Sequence, residues 1–197
     1  MAYPVEFNVT RSTASPNKFR LATGLWIALV VVLWYFEFYE LVGGALIGAF
    51  LALPILAAGL IRQKGGEKYQ AEAHQGPIKW IGQAMVLLNV LPFASNGVLE
   101  VRTSGTPTAG SALLRIILVF PHAIVLGLLG IYIVFIQTIA SIATLISGSY
   151  PEWAAKFARG YLRWTARVLV YMASLVEEYP PFSFDTGDEA ARPEAPA

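Results

Sequence analysis

Between Arg115 and Glu152 the sequence reads "IILVFPHAIVLGLLGIYIVFIQTIASIATLISGSYP", Ile116 to Pro151, thirty-six residues without a charged side chain. As one helix, at 1.5 Å per residue, this run would be about 54 Å long, more than the ~30 Å of bilayer hydrocarbon and slightly short of two crossings plus a turn. Two readings follow. In one, an interfacial helix reaches Phe120, kinks at Pro121 and continues as a single long crossing to Ser147. In the other, the chain bends near Gly127 to Gly130 and returns to its starting face. Charge separates them, because Arg11, Lys18 and Arg20 precede the apolar segments and Arg62, Lys64, Lys68, Lys79, Arg102 and Arg115 lie between them. Lys156, Arg159, Arg163, Arg167 and Arg192 follow. A return gathers all fourteen basic residues on one side, whereas a single crossing splits them nine to five. The tendency of short cytoplasmic loops to collect Lys and Arg favours the return.

Composition agrees with a membrane setting. A chain of 197 residues that is 56% hydrophobic and only 14% charged, with a mean hydropathy of +0.56, is too apolar for an ordinary soluble domain. Its net charge is +1, with the cations spread among apolar blocks, so no nucleic-acid surface is expected. Cysteine is absent, which excludes disulfides, thiol chemistry and cysteine-bound metals. The first twenty residues are polar and no small-residue cleavage pattern follows the first apolar run, so no cleaved signal peptide is expected.

The fold class expected is an all-α integral membrane protein with an N-terminal transmembrane hairpin, a long C-terminal apolar segment, an amphipathic interfacial helix and a small β-pairing. Residues 1–20 form a polar arm in which Val5, Phe7 and Val9 alternate as a short strand. Residues 21–61 form the hairpin: "LATGLWIALVVVLWYF" from Leu21 to Phe36, then Leu41 to Ile61, each near the length of a crossing. Arg20 and Glu37 reach toward the interfaces, Trp34, Tyr35, Phe38 and Tyr39 supply an aromatic belt, Gly43, Gly44 and Gly48 allow close helix approach, and Pro54 bends the second helix. Residues 62–110 read as a cytoplasmic loop. Within it "WIGQAMVLLNVL", Trp80 to Leu91, is an interfacial helix, and "VLEVRTSG", Val98 to Gly105, contains a strand that pairs with the N-terminal one. Residues 111–184 form a second membrane unit and 185–197 a disordered tail.

In the second unit, Ser149 and Glu152 match the S-x-x-E capping pattern and Pro151 suits a first helical turn, so a helix is expected to start there. On that helix Lys156, Arg159, Arg163 and Arg167 fall within ~80° of one another. Glu152 lies on the same side, while Phe157, Tyr161, Leu162, Val168, Leu169, Met172, Leu175 and Val176 lie opposite. This is the pattern of a helix in the membrane interface, its four cations contacting anionic lipid headgroups.

Pro121-His122, Tyr150-Pro151, Arg163-Trp164 with Arg167, and Tyr179-Pro180-Pro181-Phe182-Ser183 occur in that order over residues 111–184. This succession resembles the DUF4389 family of uncharacterised bacterial membrane proteins, and "YPVEFNV" resembles the start of such domains. The resemblance implies a membrane location and a C-terminal helical unit, without an activity.

Nothing in the sequence points to catalysis. His74 and His122 have no metal-ligand spacing, paired carboxylate, G-x-S-x-G or phosphate loop beside them. A lone membrane histidine reads as a hydrogen-bonded structural residue rather than a cofactor ligand, so no cofactor and no metal are expected. The expected function is that of a non-enzymatic, multi-pass inner-membrane protein, an accessory or scaffold subunit of a membrane complex. A lipid-interacting or membrane-shaping protein and a small transporter or cofactor-binding protein are the alternatives.

Overall fold

A computed structural model describes residues 3–10, 16–35, 39–93 and 96–185. It is mostly helical, with one long apolar helix and one small sheet. In chain order the elements are β1 (Val5–Thr10), α1 (Pro16–Tyr35), α2 (Tyr39–Lys64), α3 (Gly66–Ala71), α4 (Pro77–Phe93), β2 (Asn96–Val101), α5 (Ala109–Ser147) and α6 (Glu152–Met172). The Glu37 turn, the side chains of the aromatic belt and the expected disordered tail beyond Asp185 lie outside the described residues.

The expected strand pairing is present. β1 and β2 run antiparallel, in register from Val5 opposite Val101 to Thr10 opposite Asn96. Val5, Phe7 and Val101 are buried and Val98 is exposed, so the alternation in sequence is an alternation of faces. The sheet packs its apolar face inward, β1 against α6 and β2 against α4. The helix expected from Trp80 begins three residues earlier and is less superficial than an interfacial helix would be. Ile78, Ile81 and Met85 enter the core while Trp80 stays exposed. α3 is a short helix inside the segment expected to be loop.

The uncharged run from Ile116 forms one continuous helix as far as Ser147. α5 passes through Pro121 and Gly127–Gly130 without reversing, so the return expected at those glycines does not occur. Its start is fixed by a reciprocal cap: Ser111 N–H donates to Thr108 Oγ1 at 3.1 Å and Thr108 N–H donates to Ser111 Oγ at 3.0 Å. Its end is fixed by Gly148, whose φ of 76° ends the helix in the left-handed conformation, with its N–H bonded to Thr144 O at 2.8 Å.

The reversal comes about twenty residues later, at 148–151. From there α6 runs back along α5. Ile133, Ile136 and Ala140 pack with Tyr150, Ala154 and Ala158 at the far end, and Arg115 meets Tyr171 and Val176 at the near end. The near end joins the larger core, which includes Val5 and Phe7 of β1, Ala57 and Ile61 of α2, and Val168 and Met172 of α6. The helix start at Glu152 is as expected, but the Ser149 cap does not form. Pro151 is the N-cap, and Ser149 instead exchanges hydrogen bonds with Ser147: its N–H donates to Ser147 Oγ at 3.2 Å and its O accepts from that hydroxyl at 2.9 Å.

Candidate functional site

Where α6 ends, its last carbonyls have no partners within the helix. Other elements supply them. Arg115 Nη1, from the first turns of α5, donates to Tyr171 O at 2.5 Å and to Val176 O at 2.6 Å, with its guanidinium 4.3 Å from the Tyr171 ring centroid. Tyr69 Oη donates to Ala173 O at 2.6 Å, Gln70 Nε2 to Ser174 O at 3.0 Å, and Ser104 N to Leu175 O at 3.1 Å. Burial pushes the Tyr69 phenol up to about 12, which keeps it a donor. Ser174, with φ of 57°, turns the chain out of the helix. A cation at a helix C-terminus also complements its macrodipole.

Beyond this turn, residues 177–185 run back over the seam between α5 and α6. Ser104 Oγ donates to Glu178 Oε2 at 2.5 Å, and that hydrogen bond holds the Glu178 carboxyl below the ordinary glutamate range. Tyr179 Oη donates to Leu118 O at 2.9 Å. The Phe182 ring lies on His122, centroids 3.9 Å apart and planes 12° from parallel. His122 is fully buried, and its Nδ1 accepts the Trp164 indole N–H at 3.0 Å. A neutral His122 therefore carries its proton on Nε2. Phe184 reaches α6 at Gly160, where a Cβ would stand 2.6 Å from the ring. The Y-P-P-F-S motif is thus a strap laid across the buried histidine.

The four basic residues of α6 share a side of the helix, as the spacing requires, but their surroundings differ. Lys156 is exposed and pairs with Glu152 at 3.7 Å. Arg159 and Arg167 are buried. Arg163 donates from Nε to Phe7 O at 3.1 Å and from Nη2 to Asn8 Oδ1 at 3.5 Å. Asp185, at the end of the strap, bridges two of them: Oδ1 lies 3.5 Å from Arg163 Nη1 and Oδ2 lies 3.2 Å from Arg167 Nη2. Leu162, Val168 and Met172, on the opposite side, are in the core, as are Leu175 and Val176, which the sequence placed on the helix but which lie past its end at Met172. α6 is therefore not a one-sided helix lying in an interface. Strand β1 covers the face that the sequence assigned to headgroups, and only Lys156 of the four is left exposed.

Chemically, the seam offers a neutral imidazole in an aromatic box and two adjacent guanidinium groups neutralised in part by one carboxylate. The second arrangement is suited to holding an oxyanion. Asp185 and Tyr3, whose ring lies 5.9 Å from the Arg167 guanidinium carbon, were not singled out in the sequence. The nearest signal was Asp185 itself, the first acid after the Y-P-P-F-S motif.

Residues 110–183 match the family model described as a domain of unknown function, DUF4389. No curated protein and no solved structure matches the chain.

Proposed function

We propose that this protein is a non-enzymatic, multi-pass integral protein of the bacterial inner membrane that serves as an accessory or scaffold subunit of a membrane complex. The observation that carries the membrane reading is the inverted polarity of α5. Its buried face contains Arg115, His122, Gln137, Ser141 and Thr144 together with small Ala112 and Ala140. Its exposed face carries fifteen large apolar residues, from Leu113 and Ile117 through Phe120, Leu128 and Phe135 to Ile146. In water the polarity of the two faces would be the reverse; in lipid, polar and small residues turn inward and bulky apolar ones outward.

The magnitude supports this reading. Full burial of such a side chain is worth about 1.5–3 kcal/mol, so fifteen roughly half-exposed ones leave on the order of 15 kcal/mol unrealised in water. That is the size of a whole domain's stability. α5 is the one described helix long and apolar enough to cross a membrane, and only 22% of its most apolar window is buried. α1 and α2, of 20 and 26 residues, have lengths of about 30 and 39 Å, which suit crossings as a hairpin. The α5–α6 reversal returns the chain toward Arg115, so the N-terminal arm, the 62–110 segment and the end of α6 can share the cytoplasmic side.

The test is expression of the full chain, carbonate washing of the membranes, and mild-detergent purification with absorption spectroscopy. Retention after carbonate and co-purification with a partner in fixed ratio are expected. Release by carbonate overturns the membrane reading. A partner-free protein that remodels vesicles shifts the role to membrane shaping, and one that carries a pigment shifts it to cofactor binding.

A further inference from the structure

We propose that Arg163 and Arg167 form a binding site for a phosphoryl group, and that the chain's own Asp185 occupies this site as a displaceable stand-in. The two guanidinium groups are built in rather than splayed on the surface, their side chains only 14% and 10% exposed. Strand β1 fixes Arg163 from behind through Phe7 O and Asn8 Oδ1. The Asp185 carboxylate in front of them is 46% exposed, so the mouth of the site opens to solvent where the strap ends.

Counting acceptors and charge identifies the ligand class. Asp185 gives one oxygen to each arginine. Arg167 Nε, in a residue more than nine-tenths buried, is left without an acceptor. A carboxylate has no third oxygen to offer. A phosphoryl group has three terminal oxygens, so it can keep both existing contacts and supply the missing one. Its charge of about −1.5 to −2 also matches two guanidinium cations better than a single carboxylate does. The fork geometry of arginine favours such an oxyanion over a spherical anion. Exchange requires only the end of the strap to lift at Asp185 and Phe184, while Phe182 can stay on His122. The phosphoryl group can come from a soluble phosphate or from a monoester lipid headgroup. The first source does not depend on the chain being embedded in a membrane.

The experiment uses the full chain in phosphatidylcholine nanodiscs, titrated calorimetrically with inorganic phosphate. Asp185→Asn is expected to tighten phosphate binding about tenfold, because it removes an intramolecular competitor present at millimolar effective concentration. Adding Arg167→Gln to Asp185→Asn should abolish the gain, and Arg167→Lys, which keeps the charge without the fork, should retain only part of it. A second arm replaces free phosphate with nanodiscs containing phosphatidic acid and follows headgroup phosphorus line-broadening. Binding in the first arm alone assigns a soluble ligand, and binding in the second alone assigns a lipid. Binding of neither probe overturns the proposal, as does equal binding by wild type and Asp185→Asn. Should Arg167→Gln fail to fold, the comparison of wild type, Asp185→Asn and the Arg167→Lys double variant still decides, since equal affinity in all three rejects the site.

Discussion

Replacing Arg115 by Met removes the group that closes the end of α6. Arg115 is 5% exposed and donates to both Tyr171 O and Val176 O, so the substitution leaves Val176 O without this donor and Tyr171 O with only the Ser174 N–H at 2.9 Å. Hydrogen bonds to a charged donor are worth about 1.5–3 kcal/mol each, and the guanidinium over Tyr171 adds ~1–2 kcal/mol. Against this, Met spares the desolvation of a buried cation, which amounts to several kcal/mol. The loss of both charged hydrogen bonds and the stranded Val176 carbonyl, which costs about 1–3 kcal/mol, decide the balance. A net loss of about 3–5 kcal/mol is expected, as for other broken buried charge contacts. Arg115→Lys, which keeps the cation but cannot span both carbonyls with one planar group, should lose about half as much. Equilibrium unfolding in mixed micelles gives the global value, and hydrogen exchange of amides 171–176 and of Ser104 gives the local one. Stability of Arg115→Met within ~0.5 kcal/mol of wild type, with unchanged exchange, would refute the account of this turn.

Two further outcomes concern the strap and its ties. Gly160→Ala should favour α6 by up to ~1 kcal/mol in intrinsic propensity yet expel the Phe184 ring, which lies 2.6 Å from the new Cβ. Faster exchange at 183–185 with an unchanged α6 is the expected signature, and an unaltered strap would contradict the packing. The Glu178 carboxyl is held low by Ser104, so its folded value lies below its unfolded one. Its contribution is complete above the ordinary glutamate range and is lost as pH falls through the folded value. Tyr69 works in the opposite direction: raised from 10.0 to about 12, it contributes fully below pH 10 and loses that contribution as pH climbs to about 12. Exchange of amides 173–178 against pH should therefore rise at both extremes, and Glu178→Gln and Tyr69→Phe should each remove one limb.

How far the sequence showed these features depends on which physical signal each leaves. The β1–β2 pairing was legible because Val5 and Phe7 alternate with polar neighbours, a period that only a half-buried strand needs. The start of α6 was legible from Pro151 and Glu152, but its cap was not, since the nearby Ser147 hydroxyl engages Ser149 first. In α5 an almost uniform run of apolar residues concealed the direction of the chain, and glycines suggested a bend where none exists. The informative signal was the rarer polar set: Arg115, His122, Gln137, Ser141 and Thr144 lie on the buried face. The basic stripe on α6 was placed correctly around the helix axis. Periodicity gives the side of a helix, however, and not what covers it, and the cover here is a strand 156 residues away.

That separation bears on how the molecule comes to be made. Tyr3 bonds Glu178 across 175 residues, and Arg163 bonds Phe7 across 156. During synthesis β1 emerges first yet must wait for α6, the last helix, before its inner face and the guanidinium groups it shields can meet. Loop closure over such distances is slow, so the early chain depends on its surroundings to keep that strand from wrong pairings. The same reasoning warns against producing the matched segment, residues 110–183, by itself. A piece covering only 110–183 would leave behind β1, Tyr69 and Ser104, and with them the contacts that shield Arg163 and cap the end of α6.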